Sequence, residues 1–287
     1  MATVVNSWIS RFSEPLVSGL VSQGNMTQEK LADISRLQIA RNISFKVAAV
    51  ELGILTQTDV AAVLRRQQEI QPAANDNVLS PNLAVAYDTT SKRAEVLRKL
   101  RYQLAVRWFA EQAPCKALSI VSSGKGDGRS RLAAELAIVF AQTGERTLLV
   151  DADLRSPTQH KLFGMQNKIG LTSMRGDMPV LASAMPVHAV ENLFLVPSGP
   201  LPDASRSLLV LRGIEGMLKV ASTDFDILIV DTPALGQYVD AQSISMASGG
   251  ALFCVRRDEV HVDILREHVD MLQSIGVNVV GSTFSTF

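Results

Sequence analysis

Leu118-Ser119-Ile120-Val121-Ser122-Ser123-Gly124-Lys125-Gly126-Asp127-Gly128-Arg129-Ser130 is the stretch on which the fold turns. It opens as a short apolar run, continues as a loop with glycine at 124, 126 and 128, and leads into helical spacing over Arg131–Gln142. A phosphate-binding loop reads G-x-x-x-x-G-K-[ST] between a strand and a helix. Its glycines let backbone N–H groups turn inward on a phosphate, and the helix N-terminus adds a favourable field. Two positions depart from that pattern: Ser123 stands at the first glycine and Arg129 at the lysine. Arg129 keeps the positive charge on a larger, planar, bidentate group. Ser130 keeps a hydroxyl where a Mg2+ ligand belongs. The candidate nucleotide-binding residues are therefore Ser123, Gly124, Lys125, Gly126, Asp127, Gly128, Arg129, Ser130 and Arg131. Taken alone, the same loop also reads as a glycine-rich strand–helix turn without function.

Working outward, short apolar runs recur at Ala117–Val121, Thr147–Val150, Leu193–Val196, Asp226–Val230, Ala251–Val255 and Val277–Val280. Each lacks the polar alternation of a half-exposed strand, as strands buried on both faces do. Helical spacing falls between most of them, at Arg131–Gln142, Ser205–Val220 and Val262–Ser274. The pattern predicts an α/β fold, a doubly wound and mostly parallel sheet, with ligands at the carboxyl ends of its strands.

Two of those ends carry acid. Leu148-Leu149-Val150-Asp151-Ala152-Asp153-Leu154-Arg155 puts two carboxylates and a guanidinium after one run, and Leu228-Ile229-Val230-Asp231-Thr232-Pro233 ends another in Asp. A single Asp there often only caps the next helix. Two such ends beside a phosphate loop supply what Mg-nucleotide chemistry needs, namely carboxylates around the metal and one spare base.

With these motifs in order, residues 90–287 resemble the bacterial tyrosine kinases that control polysaccharide chain length, relatives of the ParA/MinD-type P-loop ATPases. The segment Glu95-Val96-Leu97-Arg98-Lys99-Leu100-Arg101 is similar to the E-x-x-R-x-x-R motif through which those kinases assemble. Gly128-Arg129-Ser130 resembles the EpsG-like branch of exopolysaccharide clusters, where a helical domain precedes the kinase. The resemblance implies ATP and Mg2+ as cofactors. It implies Asp151, Asp153 and Arg129 as catalytic residues: Asp151 orients or deprotonates the acceptor hydroxyl, Asp153 serves the metal's water shell, and Arg129 stabilises the transferring group. Ser130 and Asp231 would hold the metal. It further implies a membrane-embedded chain-length determinant as partner, and homo-oligomers through Glu95, Arg98 and Arg101. The plain alternative for those three is a solvated helix face at i, i+3, i+6 spacing. The terminal tyrosine cluster of related kinases has no counterpart in Gly281–Phe287, and the chain's tyrosines are Tyr87, Tyr102 and Tyr238. The early lysine of ParA/MinD loops belongs at Gly124; Lys125 is one residue off, which argues against a lysine-mediated nucleotide sandwich.

The front of the chain reads differently. Gly24-Asn25-Met26-Thr27-Gln28 recurs as Gly53-Ile54-Leu55-Thr56-Gln57, 29 residues on, each followed by helically spaced apolar residues. A helix ended by Gly, a short turn and a Thr cap opening the next helix is the physical unit. Residues 1–72 are thus expected to form a small helical domain, similar to the N-terminal domain of type II secretion ATPases. Residues 73–88 are expected as a linker and 89–287 as the kinase/ATPase domain. The chain has 28 basic and 28 acidic residues in 287, a balance that disfavours a nucleic-acid partner. Two cysteines, Cys115 and Cys254, form no disulfide or zinc pattern and suit a reducing cytosol. No apolar run nears the roughly 20 residues of a membrane span, and no signal sequence opens the chain. A cytoplasmic protein, peripheral to the inner membrane through its partner, is expected. Its leading function is a protein tyrosine kinase regulating exopolysaccharide polymerisation, chain length and export. An ATPase switch without kinase activity and a low-turnover nucleotide sensor are the alternatives. Arg256-Arg257 could contact the nucleotide base or simply be solvated. His160, His188, His261 and His268 show no ligand spacing.

Overall fold

The computed structural model describes residues 30, 33, 37, 51–54, 78–109, 117–173, 184–201, 204–257 and 259–285. The chain divides into two compact units, residues 1–75 with 175–182, and 76–174 with 183–287. In the first, Glu51 ends a helix and Leu52-Gly53 turn out of it, with Gly53 at φ 63°. Gly24–Gln28 and Leu55–Gln57 of the front repeat, residues 73–77 and Cys115 lie outside the described residues.

The second unit is a seven-stranded sheet. Its elements are α1 (Ala84–Tyr87), α2 (Lys92–Arg107), β1 (Ala117–Val121), α3 (Arg129–Ala141), β2 (Thr147–Asp151), α4 (Gln159–Leu162), β3 (Met185–Pro186), β4 (Leu193–Val196), α5 (Ala204–Asp224), β5 (Ile227–Asp231), α6 (Asp240–Ser248), β6 (Gly250–Arg256), α7 (Val262–Ser274) and β7 (Asn278–Ser285). The strand order is β3-β4-β2-β5-β1-β6-β7. All neighbours are parallel except β3, which pairs antiparallel with β4 at the edge.

Every residue of β1, β2 and β5 is buried, as their apolar runs require. On one face, Leu132, Leu136 and Phe140 of α3 join Leu97 and Leu104 of α2 and Leu83 and Val85 in one core. On the other, Ala241 of α6 and Leu272 of α7 pack with Val121 and Phe253. Helix α3 is buried from Leu132 to Ala141 because the sheet covers one side and α1 and α2 the other. Its alanines at 133, 134, 137 and 141 keep the backbone close to both layers.

One boundary moves. Of the expected linker, Leu79, Leu83 and Val85 are core residues of the sheet unit, at 5% exposure or less. A segment that buries three aliphatic side chains in the sheet unit does not behave as a tether.

Two contacts fix α2 on this core. At its start, Arg93 Nε donates to Glu135 Oε2 of α3 at 2.7 Å. At its end, Trp108 Nε1 donates to the Ala117 carbonyl at 2.9 Å. Buried Glu135 needs such partners, since an unpaired carboxylate inside costs several kcal/mol.

Candidate active site at the strand ends

The parallel register brings the acids together. β2 and β5 are neighbours with Asp151 opposite Asp231, and β1 flanks β5 with Ile120 opposite Asp231. The loop leaving β1 therefore opens directly beside both carboxylates, and all three of Asp151, Asp153 and Asp231 are buried there.

The loop itself is pinned from three sides. Gly126 and Gly128 take φ 91° and 85°, left-handed values that a side chain would strain, and Gly128 caps α3. The Asp127 carboxylate folds back to accept the Gly124 N–H at 2.8 Å, and the Asp127 carbonyl accepts Ser285 Oγ at 2.6 Å. The segment after β5 holds the loop's beginning. Leu235 and Gly236 donate their N–H groups to the carbonyls of Ser122 and Ser123, at 3.0 and 3.1 Å. His268 of α7 meets Ser123 Oγ through Nδ1 at 3.0 Å, so it is a satisfied residue touching the loop. Arg256 pairs with Glu259 at 3.0 Å, and its Nη1 lies 3.9 Å from where a Cβ on Gly126 would stand. Lys125 is exposed, and Arg131 turns along α3 to Glu135 at 3.4 Å.

Arg129 is the hub. Nη1 donates to Ser122 Oγ at 2.8 Å, Nη2 to Asp153 Oδ2 at 3.1 Å, and Nε stands 3.4 Å from Asp231 Oδ1. The planar fork suits this three-way contact in a way an ammonium cannot. Gln159, which carried no signal in the sequence, ties the rest. Its Nε2 donates to Asp231 Oδ2 and to the Ser130 carbonyl, both at 2.8 Å. The N–H groups of Thr158 and Gln159 bind Asp151 Oδ2 at 3.1 and 3.0 Å. Only the three-dimensional return of α4 onto β2 reveals that role.

Three carboxylates around one guanidinium leave an excess of negative charge out of water. Burial, then the neighbouring Asp231 charge, raises the Asp151 carboxyl well above the usual carboxylate range. Burial also raises Asp231, while Arg129, Gln159 and Ser130 pull it back. Asp151 Oδ1 and Asp231 Oδ1 are buried and accept no hydrogen bond. Orphaned carboxylate oxygens beside a hydroxyl suit a divalent cation. No three His, Cys, Asp or Glu side chains among the described residues form a self-sufficient metal site. Mg2+ brought by a nucleotide takes most of its ligands from phosphate and water. A cavity of about 290 Å3, lined by Thr89, Arg98, Val139, Gln142 and Thr143, sits at the far end of α3.

The helix expected to mediate assembly is also placed. Glu95 is exposed and pairs with Lys99 at 2.8 Å, Arg98 donates to the Thr89 carbonyl, and Arg101 reaches Glu145 at 3.0 Å.

A glycine-rich loop on a buried strand, feeding a helix and facing acidic neighbouring strand ends, defines a P-loop NTPase. Residues 115–283 match the ParA family model described as a NUBPL iron-transfer P-loop NTPase. The tyrosine-protein kinase YwqD of Bacillus subtilis is 31% identical over 174 residues, covering 61% of this chain and 73% of that one. The solved chimerical protein CapA2B2 superposes with a TM-score of 0.64 at 26% identity, over 80% of this chain and 98% of that one. The kinase domain of the Escherichia coli tyrosine kinase ETK shares the fold, with a TM-score of 0.66 at 23% identity over 75% and 83% of the two chains. The chain belongs to the bacterial tyrosine-kinase family of P-loop NTPases.

Proposed function

We propose that the chain is an ATP-dependent protein tyrosine kinase regulating exopolysaccharide polymerisation, chain length and export, together with a membrane-embedded chain-length determinant. The observation that carries this reading is the convergence of Arg129, Ser130, Asp151, Asp153 and Asp231 on one mouth beside the phosphate loop. In this reading the N–H groups of Gly126, Gly128 and their neighbours in the loop bind the phosphates. Ser130, with Asp231 through water, holds the Mg2+, which neutralises phosphate charge when bound. Arg129 lies where charge develops on the transferring group, and preorganised charge of this kind is a large catalytic term. Asp151, whose Oδ1 lacks a partner, receives the acceptor's proton.

Residues 1–72 act as a separate helical domain, with the linker ahead of Val78. Among the described residues no helix is long and apolar enough to cross a membrane. In this reading the partner supplies the membrane association. Self-association uses the face of α2 bearing Glu95, Arg98 and Arg101, of which Glu95 and Arg98 are exposed and Arg101 half-buried. A second reading, an ATP-loaded switch without phosphoryl transfer, draws on the engagement of Arg129 by two carboxylates. Labelled ATP supplied with a poly(Glu,Tyr) peptide separates them. Phosphotyrosine supports the kinase, free phosphate alone supports the switch, and neither removes both.

A further inference from the structure

Resting on the kinase reading, we propose that Tyr238 is the phosphoacceptor: the chain phosphorylates its own Tyr238 in cis. The chain has three tyrosines, and their placement separates them. Tyr87 spends its hydroxyl on the Leu79 carbonyl. Its neighbour Ala86 lines a cavity with Gln142 and Thr143, beyond the C-terminal end of α3 and away from the phosphate loop. Tyr102 is exposed on α2, one turn past Arg98, which lines a cavity with that same end of α3. Neither reaches the site of its own chain.

Tyr238 is at the mouth. The segment that leaves β5 at Asp231 runs back along the phosphate loop, where Gly236 donates to the Ser123 carbonyl. Tyr238 follows two residues later, and two residues span at most about 7 Å. Its ring then meets the loop leaving β2: the Arg155 guanidinium stacks over it at 4.1 Å, two residues past Asp153. Arg155 is in turn held by Asp240 Oδ2 at 2.9 Å. The ring, carried by the segment that follows Asp231, is thus stacked on the segment that follows Asp153, and Arg129 lies between those two carboxylates. The hydroxyl makes no hydrogen bond among the described residues, and the residue is 37% exposed. It is a positioned phenol with a free nucleophilic oxygen.

The step balances without another reactant. A lone pair of Tyr238 Oη attacks the γ-phosphorus of ATP, and the Oη–P bond forms. The bond from that phosphorus to the β,γ-bridging oxygen breaks, and its electron pair leaves with ADP. The phenolic proton passes to the unpartnered Asp151 Oδ1 and then to solvent. The product places a phosphate dianion against Arg155, which binds phosphate well through its fork. The new charge also repels Asp240, so phosphorylation loosens the Arg155–Asp240 pair.

The full chain is incubated with γ-labelled ATP and Mg2+, digested and mapped by mass spectrometry, with poly(Glu,Tyr) as a parallel substrate for the wild type. The expected result is label on the Tyr238 peptide, approaching one phosphate per chain, at a first-order rate independent of protein concentration. Tyr238→Phe should lower incorporation into the chain at least tenfold, and Tyr87→Phe with Tyr102→Phe should leave it unchanged. Should Tyr238→Phe not fold, the wild-type map and the double variant decide alone. Label on Tyr87 or Tyr102, a rate that rises with concentration, or labelled peptide with an unlabelled chain overturns the acceptor and spares the kinase reading. Absence of label from both chain and peptide overturns both.

Discussion

The replacement Arg129→Lys restores the residue that a phosphate loop ordinarily carries, yet the structure says it costs stability. Arg129 bridges Ser122 on one side and Asp153 and Asp231 on the other, with contacts of 2.8, 3.1 and 3.4 Å. A lysine ammonium is a point donor on a flexible stem and cannot span that distance in two directions. Hydrogen bonds to charged groups contribute about 1.5–3 kcal/mol each. Losing Ser122 and one carboxylate would then cost about 3–6 kcal/mol, and the ammonium recovers part of it by settling between the acids. A net loss of about 2–4 kcal/mol is expected for the nucleotide-free protein, on the order of 10 °C in Tm for a domain of this size. Urea unfolding at neutral pH measures it directly. A double-mutant cycle with Asp153→Asn should return a coupling of about 1 kcal/mol or more. An unfolding midpoint that does not move, or a cycle that closes at zero, would refute the bridging geometry.

Removing the Asp231 charge with Asp231→Asn should weaken Mg-dependent ATP binding by tenfold or more in calorimetry, while metal-free nucleotide binding changes less. Asp151→Asn should lower kcat at least a hundredfold with little effect on ATP affinity, because a proton acceptor acts on the transition state. The same variant carries a pH test. Burial raises the Asp151 carboxyl above its unfolded value, so the folded state binds that proton more tightly. Wild-type stability should therefore fall, relative to Asp151→Asn, as pH climbs from about 4 toward the raised value, and denaturation across that range checks the sign. Gly236→Ala would put a Cβ 2.8 Å from the Ser123 carbonyl, so ATP affinity should drop severalfold as the loop is displaced. Arg98→Glu should leave a monomer that still binds ATP; light scattering that gives equal masses for variant and wild type would discard the α2 interface.

The inner strands were legible because burial on both faces writes itself as unbroken apolar runs, whereas β7 at the edge is largely exposed. The reading Ala117–Val121 coincides with β1 and Leu193–Val196 with β4. The run Thr147–Val150 stopped one residue short of the end of β2, and Asp226–Val230 sat one residue ahead of β5, since both strands carry an acid, Asp151 or Asp231, inside the ladder. A buried carboxylate ends an apolar pattern without ending a strand. Helix α6 went unseen because Asp240–Ser248 is rich in serine and takes its support from packing on α5, β1 and β6. β3 is two residues long, one of them Pro186, and leaves no pattern at all. Local order along the chain named Arg129, Asp151, Asp153 and Asp231. The function of Gln159 depends on partners 29 and 72 residues away, which no local pattern records.

Helix α2 is riveted at both ends, by Arg93 to α3 and by Trp108 to the start of β1. Its inner side is locked into the same core as α3. A helix held this way works as a stiff strut: it cannot bend or swing alone under load. A push from a neighbouring molecule on its outer side would pass through Glu135 to α3, whose first turn continues directly from the phosphate loop. Whatever docks on α2 therefore has a mechanical line to the nucleotide, with no hinge in between to absorb the motion.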